Sequence, residues 1–112
     1  MPDIERKISE MGLMATRTVD ETLDAYVSDS IDDVQRIASH SDHVGRLSAN
    51  IRKDILTSMK DDVDTIDTGA DYLVVVGYLK RTADHATDIA EWLVYKRSGK
   101  IIELNPGSSS FI

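Results

Sequence analysis

The residues of this chain whose type and spacing could support chemistry lie in one stretch near its C-terminal end. At helical steps of three and four, this stretch carries the stripe Gly77, Lys80, Asp84, Asp88 and Glu91. Residues at these steps share one face of a helix, so three carboxylates stand beside one ammonium group. The sequence therefore predicts an acidic face that borders the core without lying in it, and this face is the candidate site.

Histidines provide a second set of candidate groups. His40 and His43 stand three residues apart, a spacing with which two imidazoles can bind one surface metal ion, and His85 follows Asp84 directly. Incidental surface histidines are the alternative interpretation. The sequence contains no glycine-rich phosphate loop, nucleophile elbow or HExxH motif. A catalytic role therefore ranks last, and the protein is not predicted to be an enzyme.

A long third helix must carry the acidic stripe, because its apolar residues recur at steps of three and four. We predict that this helix is capped at Thr65 or Asp67 and ends near Ser98, where Gly99 can adopt the left-handed conformation. Three alanines in succession along the core face predict close packing against other helices. This core face consists of Tyr72, Val76, Leu79, Ala83, Ala86, Ala90 and Leu93.

A first amphipathic helix is predicted from Asp3 to about Val27, with its apolar periodicity passing through Gly12. Because the charged residues fill the remaining positions, the apolar positions form one face. That face consists of Ile4, Ile8, Met11, Ala15, Val19, Leu23 and Tyr26.

A second helix is predicted from Ser30, where Asp33 three residues on resembles a capping box, to about Lys60. Two of its core-facing positions are serines, and we expect their hydroxyls to bond back to the preceding turn. The core face consists of Val34, Ile37, Ser41, Val44, Ser48, Ile51 and Ile55.

Three such helices joined by short turns predict an all-α fold, an antiparallel up-down-up bundle with long helices. The acidic connection from Lys60 to Asp64 lacks the glycine and glutamate of a calcium loop, so we interpret it as a solvated turn. The bundle is predicted to occupy residues 1–98. Residues 99–112, with a short apolar patch, a turn signal and a serine run, are predicted to form a C-terminal tail.

Composition limits the functional classes. Of the residues, 41% are apolar and none is cysteine, and no apolar run approaches the roughly 20 residues of a membrane span. The N-terminus lacks the apolar stretch of a secretory signal, so we expect a cytoplasmic protein. With 20 acidic against 13 basic side chains, the net charge is −7, which repels nucleic acid and anionic lipid. Such a charge favours cations or a basic patch on a partner, although a simply solvated surface is the alternative.

The block LKRTADHATDIAEW, from Leu79 to Trp92, resembles the PhoU family of bacterial phosphate-signalling regulators, whose helices carry a sequence close to LERIGDHATNIAEW. Packing does not dictate the shared residues DHAT-x-IAEW, and the resemblance extends from Ile8 to Gly99. It implies a helical bundle that binds the phosphate ABC transporter and a sensor histidine kinase, restraining phosphate-starvation signalling when phosphate is plentiful. Within the block, we expect Glu91 and Trp92 to contact the partner.

The resemblance also implies a metal site, because family members bind clustered iron or zinc through acidic i, i+4 pairs on the second and third helices. In this chain Lys80 replaces one ligand of the third-helix pair, and the second-helix pair falls on Ser41 and Gly45. Asp84 and Asp88 remain as candidate ligands for iron, zinc or calcium. The alternative is an ion pair between Asp84 and Lys80 on a wet helix face. We therefore predict that the chain carries no stoichiometric transition metal.

Family members usually carry two such bundles, whereas this chain has one. It is either a separated half of a longer protein or a unit that associates with a second bundle. Val74, Val75 and Val76 are consecutive, and Ile89 and Trp92 also widen the apolar surface of the third helix, which predicts self-association. Three interpretations therefore remain open: a regulatory binding module, a metal-binding bundle and a structural oligomerisation bundle.

Overall fold

Three long helices make up almost all of the chain that a computed structural model describes, residues 1–99. They are α1 (Pro2–Ser28), α2 (Val34–Asp61) and α3 (Ile66–Ser98), and a short 3₁₀ turn (Val63–Thr65) precedes α3. The all-α fold is thus confirmed. Within residues 1–99, no helix is both long and apolar enough to cross a membrane. The predicted tail lies outside the described residues, except for Gly99.

Contacts at the two ends of α1 show that α1 and α2 run in opposite directions. Near the start of α1, Lys7 Nζ donates to Asp54 Oδ2 near the end of α2, at 2.6 Å. Near the end of α1, Glu21 Oε2 accepts from Arg36 Nε near the start of α2, at 2.8 Å. A second helix that follows a short turn returns along the first in this way.

Two further contacts show that α3 runs parallel to α1. The Tyr72 hydroxyl donates to Glu5 Oε1 at 2.6 Å, and Arg97 donates to the carbonyl of Asp29 at 2.7 Å. The hydrogen bond to the Glu5 carboxylate is the main cause of the raised pKa of the Tyr72 phenol, with desolvation and charge adding to it. The helices therefore run up, down and up in a bundle of 52 × 22 × 16 Å.

The predicted core faces of α2 and α3 are confirmed. Every one of the seven predicted positions on α2 is buried. On α3 two of the predicted residues, Tyr72 and Leu79, are half-buried and pack against the core. The buried members of the α3 face are Val76, Ala83, Ala86, Ala90 and Leu93.

The predicted core face of α1 is correct in the N-terminal half and wrong in the C-terminal half. Leu23 and Tyr26 are about half exposed, and Thr18, Thr22 and Ala25 are buried instead. The hydroxyls of both threonines donate to main-chain carbonyls one turn earlier, at 2.9 and 2.8 Å. Because these bonds satisfy the hydroxyls inside the helix, threonine can be buried there at little cost.

The predicted start of α2 at Ser30 is also wrong. Asp29 ends α1 in the left-handed conformation, with a φ of 53°, and α2 begins only at Val34. The Ser30 hydroxyl accepts from the amide of Asp32 at 3.3 Å, so it stabilises a local turn and not the helix N-terminus. At the same end of the bundle, Gly99 has a φ of 72° and ends α3 as predicted.

Candidate functional site between the second and third helices

Small side chains let α3 approach α2 at the level of the acidic stripe. The carbonyl of Ala83 accepts from Ser41 Oγ of α2 at 3.2 Å and from Thr87 Oγ1 of α3 at 3.3 Å. All three residues are buried. The prediction that the core serines bond back to the preceding turn is therefore wrong for Ser41, whose hydroxyl bonds to the neighbouring helix.

Lys80 and Asp84 form the ion pair that the sequence offered as the alternative to a metal ligand. Lys80 Nζ lies 2.8 Å from Asp84 Oδ2, and the side chains are 42% and 19% exposed. Because solvent screens such a pair, its contribution to stability is no more than about 1 kcal/mol. One carboxylate of the stripe is thus already neutralised by a cation from its own helix.

The other two carboxylates of the stripe do not join Asp84 in one site. The Asp88 side chain is 14% exposed, and its Oδ2 lies 3.9 Å from Nδ1 of the exposed His85. Glu91 is only 1% exposed, so the prediction that the whole stripe borders the core without entering it is wrong at this residue. Glu91 stands one helical turn after the buried Thr87 and shares its inward face.

The donor set does not fit the clustered metal site that the resemblance implies. The Ser41 hydroxyl is engaged with a main-chain carbonyl, Gly45 has no side chain, and Lys80 brings a positive charge. Asp84 and Asp88 alone are a weak chelating set for iron, zinc or calcium. Within residues 1–99, no group of three or more histidine, aspartate or glutamate side chains is placed to hold a metal ion.

A polar cluster that the sequence did not reveal joins α1 to α2. The Glu21 carboxylate accepts from His40 Nδ1 at 2.6 Å through one oxygen and from Arg36 Nε at 2.8 Å through the other. Both Glu21 and His40 are largely buried, at 17% and 24% side-chain exposure. His40 therefore contacts a carboxylate of another helix. The sequence had instead suggested that His40 and His43 could together bind a surface metal ion. Only the spacing of Arg36 and His40, four residues apart, was visible in the sequence.

Trp92 is the large aromatic residue of the 79–92 block that remains accessible. It is 43% exposed, and its ring lies 5.6 Å from the ring of Tyr95 at an angle of 40°. Glu91, the neighbouring candidate for partner contact, lies inside the bundle. Tryptophan is one of the three side chains that are enriched among the residues contributing most to the binding energy of protein interfaces. Of the two candidates, only Trp92 is therefore placed where a partner can reach it.

Comparison with known proteins gives a consistent set of relatives. Residues 8–93 match the family model of the PhoU domain. A phosphate-specific transport system accessory protein PhoU homolog from Clostridium acetobutylicum is 30% identical over 103 residues, covering 92% of this chain and 47% of the relative. A protein of the same description from Streptococcus pneumoniae is 30% identical over 104 residues, covering 93% and 48%. Another, from Caulobacter vibrioides, is 30% identical over 100 residues, covering 89% and 44%.

The chain thus spans about half the length of the curated relatives it matches. No solved structure matches it. The family match begins at the residue where the resemblance in the sequence begins and ends one residue after Trp92. Since this match covers most of the chain, the protein belongs to the PhoU domain family.

Proposed function

We propose that this chain is a regulatory accessory component of phosphate transport and acts by binding other proteins. The observation that carries the proposal is the PhoU domain match over residues 8–93. The relatives bear the description of phosphate-specific transport system accessory proteins, which supports a role beside a transporter. An acidic chain of net charge −7 suits a basic protein surface better than nucleic acid.

The partners in this proposal are a phosphate ABC transporter and a sensor histidine kinase, both contacted from the cytoplasm. Contact with them restrains phosphate uptake and phosphate-starvation signalling when phosphate is plentiful. The resemblance of the 79–92 block supports this choice of partners. The bundle presents an accessible tryptophan from that block.

Trp92 is the residue that we propose for direct contact. A large aromatic side chain contributes to an interface chiefly by burying apolar area, and the indole N–H adds one hydrogen-bond donor. Glu91 has a different task in this proposal, since its burial makes it part of the packing that orients α3. In this proposal Trp92 therefore serves binding, and Glu91 serves the packing of the bundle.

The test is genetic complementation in the source cell. Deletion of the coding sequence should raise phosphate uptake and starvation-reporter expression in phosphate-rich medium, and the full chain should restore both. Trp92→Ala should fail to restore them while keeping the helical circular dichroism of the parent. The matched control is Leu56→Ala, since Leu56 has a similar exposure of 42% but lies on α2. An unchanged uptake after deletion would contradict the proposed function, and full rescue by Trp92→Ala would remove Trp92 from it.

A further inference from the structure

The C-terminal half of α1 buries its small side chains and exposes its large ones. Thr18, Thr22 and Ala25 are buried, while Leu23 is 50% and Val27 83% exposed. A helix that serves only its own bundle turns its larger apolar side chains inward, because their burial stabilises the fold most. This reversal indicates that the outward apolar side chains face something else.

The exposed side chains of α1 border a groove that α3 completes. We define the α1–α3 groove by Val19, Leu23 and Tyr26 of α1 and by Val75, Tyr78 and Ile89 of α3. Five of these six are between 40% and 60% exposed, and Val19 is partly buried. A mostly apolar cavity of about 270 Å³ opens into the groove between Val19, Leu23 and Ile89, and Thr82 and His85 of α3 also line it. A cluster of exposed apolar side chains around a mostly apolar cavity is typical of an interface.

The two rims of the α1–α3 groove carry opposite charges. On the α1 side, Asp20 and Asp24 follow Val19 and Leu23 directly and are exposed. On the α3 side, the Arg81 guanidinium lies 4.5 Å from the ring centre of Tyr78. The Lys96 ammonium, also from α3, lies 5.7 Å from the ring centre of Tyr26. Beside the groove, α1 thus presents two carboxylates and α3 presents two cations.

We infer that the α1–α3 groove is the contact surface between two copies of this chain. With a two-fold axis parallel to the helices, α1 of each copy lies opposite α3 of the other. The acidic rim then meets the basic rim twice, as self-complementary interfaces require. Leu23 of one copy packs against Ile89 of the other beside the cavity. Two copies also have about the length of one relative, since the chain covers 47–48% of two of them.

The first test is the molar mass of the full chain by light scattering over a wide range of concentration. A mass approaching twice 12.4 kDa is expected as concentration rises. Leu23→Glu and Ile89→Glu should each weaken the dimer about ten-fold or more, because a buried charge would enter its centre. The control is Leu56→Glu, an equally exposed leucine on α2 outside the groove, which should leave the dimer intact. A monomer at every concentration overturns the inference, as does an equal effect of the control.

The second test uses the absence of cysteine from the sequence. Leu23→Cys and Ile89→Cys chains are prepared separately, mixed and oxidised. The expected product is a disulfide between the two different chains, because α1 of one copy faces α3 of the other. A mixture that forms only like-with-like disulfides overturns the proposed two-fold arrangement. Both tests use purified protein, so their outcome does not depend on the proposed role in phosphate transport.

Discussion

A β-carbon added to Gly69 would lie 2.8 Å from the Met59 side chain, so the start of α3 packs so closely on α2 that Met59 would have to move to admit a larger residue. The same β-carbon would lie 3.3 Å from Ile55, which is fully buried. Overpacking in Gly69→Ala should cost about 1–3 kcal/mol, and higher helix propensity should offset up to about 1 kcal/mol of it. The free energy of unfolding should therefore fall, as measured by urea denaturation. The control is Gly77→Ala, where nothing lies within 4 Å and helix propensity should add up to about 1 kcal/mol of stability. Equal effects of the two changes would contradict the close approach.

The alanines of α3 should differ in their tolerance of a larger side chain. Ala83 is buried and its carbonyl holds Ser41 of α2, so Ala83→Leu should cost about 1–3 kcal/mol. Ala86 is buried too but lines the cavity of the α1–α3 groove, and Ala86→Leu should cost less because the leucine has space. Thermal melting of both variants checks the order. A larger loss for Ala86→Leu would show that the cavity does not accept a side chain.

The carboxylate of Glu21 should be the most important polar group between α1 and α2. Glu21→Ala removes the shared acceptor of Arg36 and His40, and the loss of stability should be about 1–3 kcal/mol because the site is largely buried. Asp42→Ala is the matched control, since its pair with Arg46 is more than half exposed on both sides and should contribute less than about 0.5 kcal/mol. Similar losses in both variants would refute a special role for Glu21.

The donor set of the stripe predicts that the purified chain holds no stoichiometric iron or zinc. Elemental analysis of protein prepared without chelators measures this directly. Lys80→Glu, Ser41→Asp and Gly45→Asp together replace an ammonium, a hydroxyl and a hydrogen with carboxylates, and they should raise metal affinity. One tightly held metal per unchanged chain would contradict the prediction, and Asp84→Asn with Asp88→Asn would then show whether these residues bind it.

Helical periodicity was sufficient to predict the three helices and the core faces of α2 and α3. It was not sufficient for the second half of α1, where two neighbouring stripes compete. Leu23 is more apolar than Thr22, and Tyr26 has a much larger ring than the methyl group of Ala25, so a rule that favours large apolar side chains selects the wrong stripe. The threonines could be buried because their hydroxyls bond within the helix, which hydropathy does not register.

The candidate site was predictable only within a single helix. Lys80 and Asp84 pair along α3 at a spacing of four, which the sequence shows. The contact from Ser41 to Ala83 and the one from His40 to Glu21 join different helices. Such contacts depend on how far one helix is shifted along the next, and no local pattern encodes that shift. The burial of Glu91 likewise follows from where α2 packs on α3.

Because the bundle has three long helices, an odd number, the first and last described residues lie at opposite ends of it. Met1 contacts Ser58 at the end of α2, whereas Gly99 follows Arg97, which binds Asp29 at the opposite end. A tandem fusion whose second unit lay alongside the first in the same direction would therefore need a connection that runs back along a 52 Å bundle. Because each residue of an extended chain spans at most about 3.6 Å, that connection needs about 15 residues or more. A short linker would exclude the parallel arrangement, whereas two separate chains can adopt it without any such constraint.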